Sequence, residues 1–525
     1  MTLLQNPDAS SPDFSKQAFV HSYNSLIDHL ALRYSFTDLR KLDWEALRSE
    51  FLPQVEEAEQ AAADNPNVGG AIFAFVLHEL AQKVRDAHVM AVIGDPAFAG
   101  EVNTLNALKN QPIATNVGAN TLELSDGRII VTDVITGSPA ADAGWTLGTE
   151  IVAVDGKPVA DRIPEVYYNE TVGTAEAQRL FQVANLLKFP APEAGGAPAD
   201  VTIDAILPGQ TEAQSFTMTP GTYKLPTPLA RVTPAMPMQY RMEPNYGYVT
   251  WEDFTHPSFS MATFRQFLSD VKADPRAKGI VIDMRGNGGG WDLLYLTLAS
   301  YFFNADNPVS MHWLDQDSFD ANKGELVREA GREFLLSAPQ EDLFWGGPVV
   351  VLIDQNCASS CEFFTQFLQT HGRATVVGQY ASSGAGAPIN RVTMPAGAVF
   401  QYTKGRAYFA GTDEMNLEAK GVVPDVRVPV TEESAAAALA GQDSVLAAGV
   451  QTLNAEVGEA AAAAIELVPL TADATGGKAP DFGGVYPSGW KFTAKPTGYA
   501  FEAPDGQMAL VYDTTAPDGL AGIVG

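Results

Sequence analysis

The chain is 525 residues long and 46% hydrophobic, enough apolar content for globular cores and enough length for about three or four domains. A formal net charge of −30 argues against a nucleic-acid or anionic-membrane surface, because both partners would be repelled. No run reaches the ~18 apolar residues of a membrane-crossing helix, and the two cysteines make neither a disulfide framework nor a zinc site.

The first residues, "MTLLQNPDASSPDFSKQ", lack a basic stretch followed by an apolar one, which fits either a cytosolic start or a leader not present in this chain. Residues 1–107 read as a helical region. "SKQAFVHSYNSLIDHLALRYS" and "DWEALRSEFLPQVEEAEQAAAD" carry apolar residues at three- and four-residue spacing. "GGAIFAFVLHELAQKVRDAHVMAVIG" predicts a helix running into a short strand, with His88 at the junction. Residues 108–225 change character. "GRIIVTDVITGSPAADAGWTLGTEIVAVDGKPV" predicts a strand, a Gly-Ser-Pro turn, a short helix, a Gly-rich bend, a strand and an Asp-Gly turn. That order resembles the second half of a bacterial PDZ domain, with Thr149 where that family usually has Asp. The resemblance implies a peptide-carboxylate nest at Val117, Gly118 and Ala119, ahead of the strand that a peptide would extend. "AEAQRLFQVANLLKF" adds a helical segment, and "PAPEAGGAPAD" a loop.

Residues 226–435 alternate strand and helix. "YGYVTWEDF", "KGIVIDMRGNGGG" and "GPVVVLIDQNCASSCEFFTQFLQTHGRATVVGQ" contain continuous Val/Ile runs, the pattern of strands in a sheet covered on both faces. Residues 436–465 form an Ala-rich helical segment, and residues 466–525 alternate apolar and polar around "PTGY" and "APDG" turns, as a small β appendage. The fold class is therefore a multidomain α+β and α/β chain.

Two turns carry the chemistry. "NCASSCEFF" lies between a buried strand and a helix, where a side chain projects above the sheet and the helix N-terminus supplies N–H groups and a positive dipole end. "RGNGGG" follows another buried strand, and its glycines let a backbone N–H approach a substrate carbonyl. Together they suit an oxyanion hole, at about 3–4 kcal/mol per donor. "RGNGGG" lacks the spacing of a dinucleotide fingerprint and the Lys of a phosphate loop, and no cofactor or metal is implied.

The PDZ-like segment followed by "GYVTWEDF", "GIVIDMRGNGGG", "VVVLIDQNCASSCEFF", "GRATVVGQ" and "GVVPDVRV" resembles the S41 serine peptidases, the family of C-terminal processing peptidases and tricorn-type enzymes, over roughly residues 15 to 450. The resemblance implies a crotonase-like ββα protease core, an endopeptidase activity on peptide or protein substrates, and a periplasmic or secreted setting. Anchored on Glu362, it places the nucleophile at Ser359. Ser360 and either Gly288 or Gly289 become the oxyanion donors. Family members with a Ser-Lys dyad carry the Lys at the position of Gly384, in "GQYASSGAG", so this chain needs another base. The tricorn-like branch implies His88 in "RDAHVMAV" as that base and Glu418 in "NLEAKGVVPD" as the residue orienting it. That branch has Ser immediately before the His, and this chain has Ala87.

Plainer readings stand beside these. Ser359 alone reads as a helix N-cap, His88 as a core histidine and Glu418 as a solvated charge. Lys404 is the nearest downstream Lys. Cys357 and Cys361 read as buried thiols, or as one local bridge allowed by their i, i+4 spacing. A Cys-dependent hydrolase is a weaker third option. The main alternative function is an S41-like shell that no longer cleaves and holds peptides with its PDZ-like module.

Overall fold

A computed structural model of the chain describes residues 11–192, 196–225, 237–306 and 308–457, apart from 313–314, 321, 332 and 410–411, together with the strand segments 467–469, 485–487, 491–495, 498–502, 509–513 and 520–524. The chain forms two compact units, Met1–Val430 and Thr431–Gly525.

In the first unit the predicted N-terminal helices are Phe19–Arg33, Trp44–Asp64 and Pro66–Val84. Their boundaries follow capping chemistry. The Asp43 carboxylate accepts the N–H groups of Glu45 and Ala46, and the Asn65 side chain accepts those of Asn67 and Val68, with Pro66 opening the third helix. That helix ends at Arg85, whose φ of 56° is left-handed, and the turn delivers Asp86 and His88 into the strand Met90–Ile93. The strand pairs antiparallel with Ala398–Thr403, which pairs with Ile389–Thr393. The helical region and this hairpin share one apolar core: Leu26, Leu30, Phe51, Phe73, Leu77 and Leu80 pack with Val392, Met394, Phe400 and Tyr402.

Residues 115–218 build an antiparallel sheet in the order Ala119–Glu123, Ile129–Val134, Glu150–Val154, Val201–Ile206, Gln214–Met218. The expected Asp-Gly turn is present, with Asp155 at φ 50° and Gly156 at φ 73°, and Lys157–Pro158 closes the hairpin. Helix Ala175–Ala184 lies on the first strand.

The third part is a six-stranded sheet in the order Met238–Met242, Tyr246–Trp251, Gly279–Asp283, Val349–Ile353, Thr375–Gly378, Val426–Arg427; only the first pair is antiparallel. Gly279–Asp283 and Val349–Ile353 are buried throughout, as their unbroken apolar runs predict. Helices Pro257–Ala273, Asp292–Ser300 and Ser360–Thr370 supply Phe264, Phe267, Leu298, Phe364 and Leu368 to one cluster with Trp251 and Phe254. Each such buried side chain contributes about 1.5–3 kcal/mol. Because the strands ending at Asp283 and Ile353 are parallel neighbours, the turns that follow them emerge side by side at the carboxyl edge of the sheet.

In the second unit the helices Glu432–Leu439 and Ser444–Glu456 cover the start of the Ala-rich run, which continues into residues outside those described. Four antiparallel strands, Lys491–Lys495, Gly498–Glu502, Ala509–Asp513 and Leu520–Val524, follow.

Candidate active site

The Ser359 turn is built from both sides. Asp354 Oδ1 accepts the N–H groups of Asn356 and, across the turns, Gly286, each at 3.0 Å. The Ala358 N–H donates to the Asn287 carbonyl at 3.0 Å. Cys357 and Cys361 are joined by a disulfide across the entry to the helix Ser360–Thr370, with Cα atoms 5.5 Å apart. Ser359 sits at φ 57°, ψ −122°, a left-handed conformation that a side-chain-bearing residue keeps only when its surroundings hold it there. What holds it is Glu362. One carboxylate oxygen accepts the Ser359 N–H at 2.9 Å and the Ala385 N–H at 2.8 Å. The other accepts the Ser382 hydroxyl at 2.6 Å and the Gly384 N–H at 2.7 Å. Burial pushes the Glu362 carboxyl above its ordinary range, and these four donors oppose the shift.

Gly289 is pressed against this turn. A Cβ there would lie 2.5 Å from the Ala358 oxygen and 2.8 Å from the Ser359 Cβ, so only glycine fits. Its N–H donates to Asn287 Oδ1 at 2.9 Å, while the Asn287 amide donates to the Trp251 carbonyl. Gly288 and Ser360 carry N–H groups with no acceptor among the described residues. The Ser360 hydroxyl is turned away, its single hydrogen within reach of both the Gly290 carbonyl at 2.9 Å and Asp292 Oδ1 at 3.0 Å.

His88 is buried. Its backbone N–H donates to Asp86 Oδ1 at 2.8 Å, and its carbonyl accepts from Gln401. Asp86 Oδ2 in turn accepts the Tyr34 and Thr403 hydroxyls at 2.9 and 2.7 Å. Burial holds the imidazole below its ordinary pKa of 6.5, opposed by the Asp86 charge and by a hydrogen bond to the Ala387 carbonyl. His88 is therefore neutral at neutral pH, the form a general base needs. Nδ1 has no partner among the described residues.

Glu418 is also buried, between Leu417 at φ 34° and Ala419 at φ 61°. Its Oε1 pairs with Arg40 Nη2 at 2.5 Å, and its Oε2 has no partner among the described residues. Burial and then the Asp86 charge push the carboxyl well up, with Arg40 pulling against them.

Ser359 and His88 thus flank one loop, residues 381–387. Gly384 and Ala385 of that loop reach the Glu362 that holds Ser359, and the Ala387 carbonyl meets His88. Among the described residues no hydrogen bond joins His88 to Ser359, or Glu418 to His88. Gly384 has φ 77°, and a Cβ there would come within 2.7 Å of Thr174 Cγ2, so a lysine has no room at this position. The three nest residues Val117, Gly118 and Ala119 are buried, and the Gly118 N–H is taken by Asn116 Oδ1 at 2.9 Å. The strand Ala119–Glu123 is clamped to its helix by a two-pronged Arg179–Glu123 pair at 2.6 and 2.7 Å.

Residues 245–428, from the second core strand to the last, match the model of peptidase family S41. This core is similar to that of the S41 peptidases. A carboxy-terminal-processing protease of Bartonella bacilliformis is 26% identical over 311 residues, covering 58% of this chain and 59% of its own length. A carboxyl-terminal-processing protease of Synechocystis is 24% identical over 328 residues, covering 62% and 64%. The chain therefore spans about three-fifths of the length of these curated relatives. A solved structure of mature CPAF complexed with lactacystin aligns with 80% of this chain and 95% of its own, at a TM-score of 0.51 and 14% identity, which is a likeness of fold.

Sequence reasoning passed over three residues of this S41-like core and its surroundings. Asn287 stood inside "RGNGGG", where only the glycines were weighed, and Glu362 served as an anchor without a role. Arg40 carries no local signal, since its partner lies 378 residues away.

Proposed function

We propose that the chain is a serine endopeptidase in which Ser359 is the nucleophile and His88 the general base. The observation that carries this reading is the strained Ser359 turn set against the Gly-rich turn, with two backbone N–H groups left open beside it. Ser359 Oγ attacks the peptide carbonyl, and His88 takes its proton. The oxyanion is held by the N–H groups of Ser360 and Gly288, since that of Gly289 is occupied by Asn287. The tetrahedral intermediate expels the amine, which receives the proton from His88 and leaves an acyl-enzyme. Water, deprotonated by His88, then releases the acid and regenerates Ser359. Glu418 adds negative charge near the imidazolium, with its carboxylate tied to Arg40.

We read residues 108–225 as a PDZ-like domain. In this conformation a peptide carboxylate would have to displace Asn116 from the Gly118 N–H. The disulfide favours an oxidising, extracytoplasmic setting, and no helix among the described residues is long and apolar enough to cross a membrane.

The second reading, a non-cleaving S41-like shell, draws on the absence of a direct hydrogen bond between Ser359 and His88 among the described residues. A fluorophosphonate probe with adduct mapping separates the two. Labelling at Ser359 that falls by about 10²-fold or more in His88→Ala is the expected result. No label under conditions that modify an ordinary serine peptidase favours the shell.

A further inference from the structure

We propose, building on the serine-peptidase reading, that Arg40 is a positioning residue for the reaction, holding the buried Glu418 carboxylate in an ion pair and sharing its charge with Asp86, which accepts the His88 backbone N–H. It comes from the connection between the first two helices, far in sequence from every motif of the core. Its Nη2 pairs with Glu418 Oε1 at 2.5 Å, and its Nη1 donates to the Gly173 carbonyl at 3.3 Å.

The chain accepts strain to present Glu418 to this guanidinium. Leu417 and Ala419, on either side, both lie in the left-handed region that favours glycine. The loop packed against them needs glycine at one position: a Cβ on Gly386 would lie 2.6 Å from the Leu417 Cβ and 2.9 Å from the Glu418 nitrogen. Three of the seven buried side-chain polar atoms without a partner among the described residues are Arg40 Nε, Glu418 Oε2 and His88 Nδ1. The unsatisfied hydrogen-bonding capacity is therefore concentrated around this pair and the base.

The charges explain what Arg40 does. Glu418 feels the charge of two other buried carboxylates, Asp86 and Glu362, and the Tyr34 hydroxyl donates to Asp86. His88 is held neutral by burial. Arg40 is the cation that acts on Glu418 and on Asp86 alike. Buried like charges cannot all ionise without such a partner. When His88 takes the Ser359 proton it becomes a buried imidazolium, which is stabilised only if the neighbouring carboxylates are already anionic. Arg40 touches neither substrate nor the reacting atoms, so its effect belongs in kcat and in the pH profile and not in KM.

The test uses the full chain and an internally quenched peptide that the wild type cleaves. Variants Arg40→Gln, Arg40→Lys and the double Arg40→Gln/Glu418→Gln are compared for kcat, KM, the acid limb of kcat/KM and melting temperature. In Arg40→Gln we expect kcat to fall about 10²-fold at unchanged KM. Its acid limb should move up by about one pH unit, because Glu418 loses the cation that keeps it ionised. Arg40→Lys should recover about tenfold of that loss, a point charge replacing part of the fork. The double variant removes both members of the Arg40–Glu418 ion pair, so it should melt closer to the wild type than Arg40→Gln does, yet keep the low kcat. Wild-type kcat with an unmoved acid limb in Arg40→Gln overturns the proposal. If that variant does not fold, wild-type kcat in the double variant does so. Ser359→Ala and His88→Ala run in parallel: hydrolysis indifferent to both overturns the peptidase reading and this inference with it. Hydrolysis that needs both but ignores Arg40 overturns this inference alone.

Discussion

The two sides of the candidate active site are built to different standards of completeness. On the nucleophile side Glu362 uses both oxygens on four donors, Asn287 spends its amide oxygen, amide nitrogen and carbonyl on three partners, and a disulfide spans the turn. On the base side Arg40, Glu418 and His88 each keep one buried polar atom without a partner among the described residues. A satisfied network rigidifies, and a partly satisfied one keeps room to rearrange. The Ser359 turn is therefore held rigid, whereas the groups around His88 can still gain hydrogen bonds, as the proposed proton transfer to His88 requires.

The sharpest way to break this contrast is to remove the hub of the rigid side. Glu362→Ala leaves the buried N–H groups of Ser359, Gly384 and Ala385 without their acceptor, at about 1–3 kcal/mol each. Thermal denaturation should show the steepest loss of melting temperature of any single change in the turn, and fluorophosphonate labelling of Ser359 should disappear with it. A variant that melts and labels like the wild type would show that Ser359 is held by something else.

Opening the disulfide is a milder cut at the same side. It closes a short loop, so reduction, or Cys357→Ala with Cys361→Ala, should lower stability by roughly 2 kcal/mol. Denaturant titration with and without reductant measures this directly. Equal midpoints would mean that the bridge adds nothing to the hydrogen-bonded frame.

The smallest expected effect lies on the base side and concerns pH. Burial lowers the His88 pKa, so the folded chain binds fewer protons there than the unfolded chain. The His88 contribution to stability is complete above the ordinary value of 6.5 and is lost as pH falls below it. Asp86 raises both His88 and Glu418. Asp86→Asn should therefore move the acid limb of kcat/KM down, by up to about one pH unit, opposite to the shift expected for Arg40→Gln. A pH–rate profile with an upward or absent shift in Asp86→Asn would remove Asp86 from the electrostatics of the base.

Much of the core was legible because its signals are local. A run such as "VVVLID" between polar turns predicts a strand buried on both faces, and Val349–Ile353 is one. The N-terminal helices showed in their three- and four-residue spacing, and the Asp-Gly turn in its dipeptide. The missing lysine was visible as Gly384, but its cause was not: Thr174, from the segment before a helix of the neighbouring sheet domain, fills the space. The core shared by the N-terminal helices and the hairpin Ile389–Thr393/Ala398–Thr403 was not legible, since Phe73 and Phe400 carry no mark of being partners.

By itself the sequence determined the N-terminal helices, the buried core strands and the Asp-Gly turn, that Ser359 lies between a buried strand and a helix, and that a chain of this charge repels polyanions. These follow from side-chain periodicity, backbone preferences and net charge, all of which act over a few residues or over the whole chain at once. Only the tertiary structure decided that the turns after Asp283 and Ile353 are neighbours, that Asn287 occupies the Gly289 N–H, and that Arg40 answers Glu418. Strand order and the pairing of buried charges depend on which surfaces meet in space, and segments hundreds of residues apart carry no local pattern that records it.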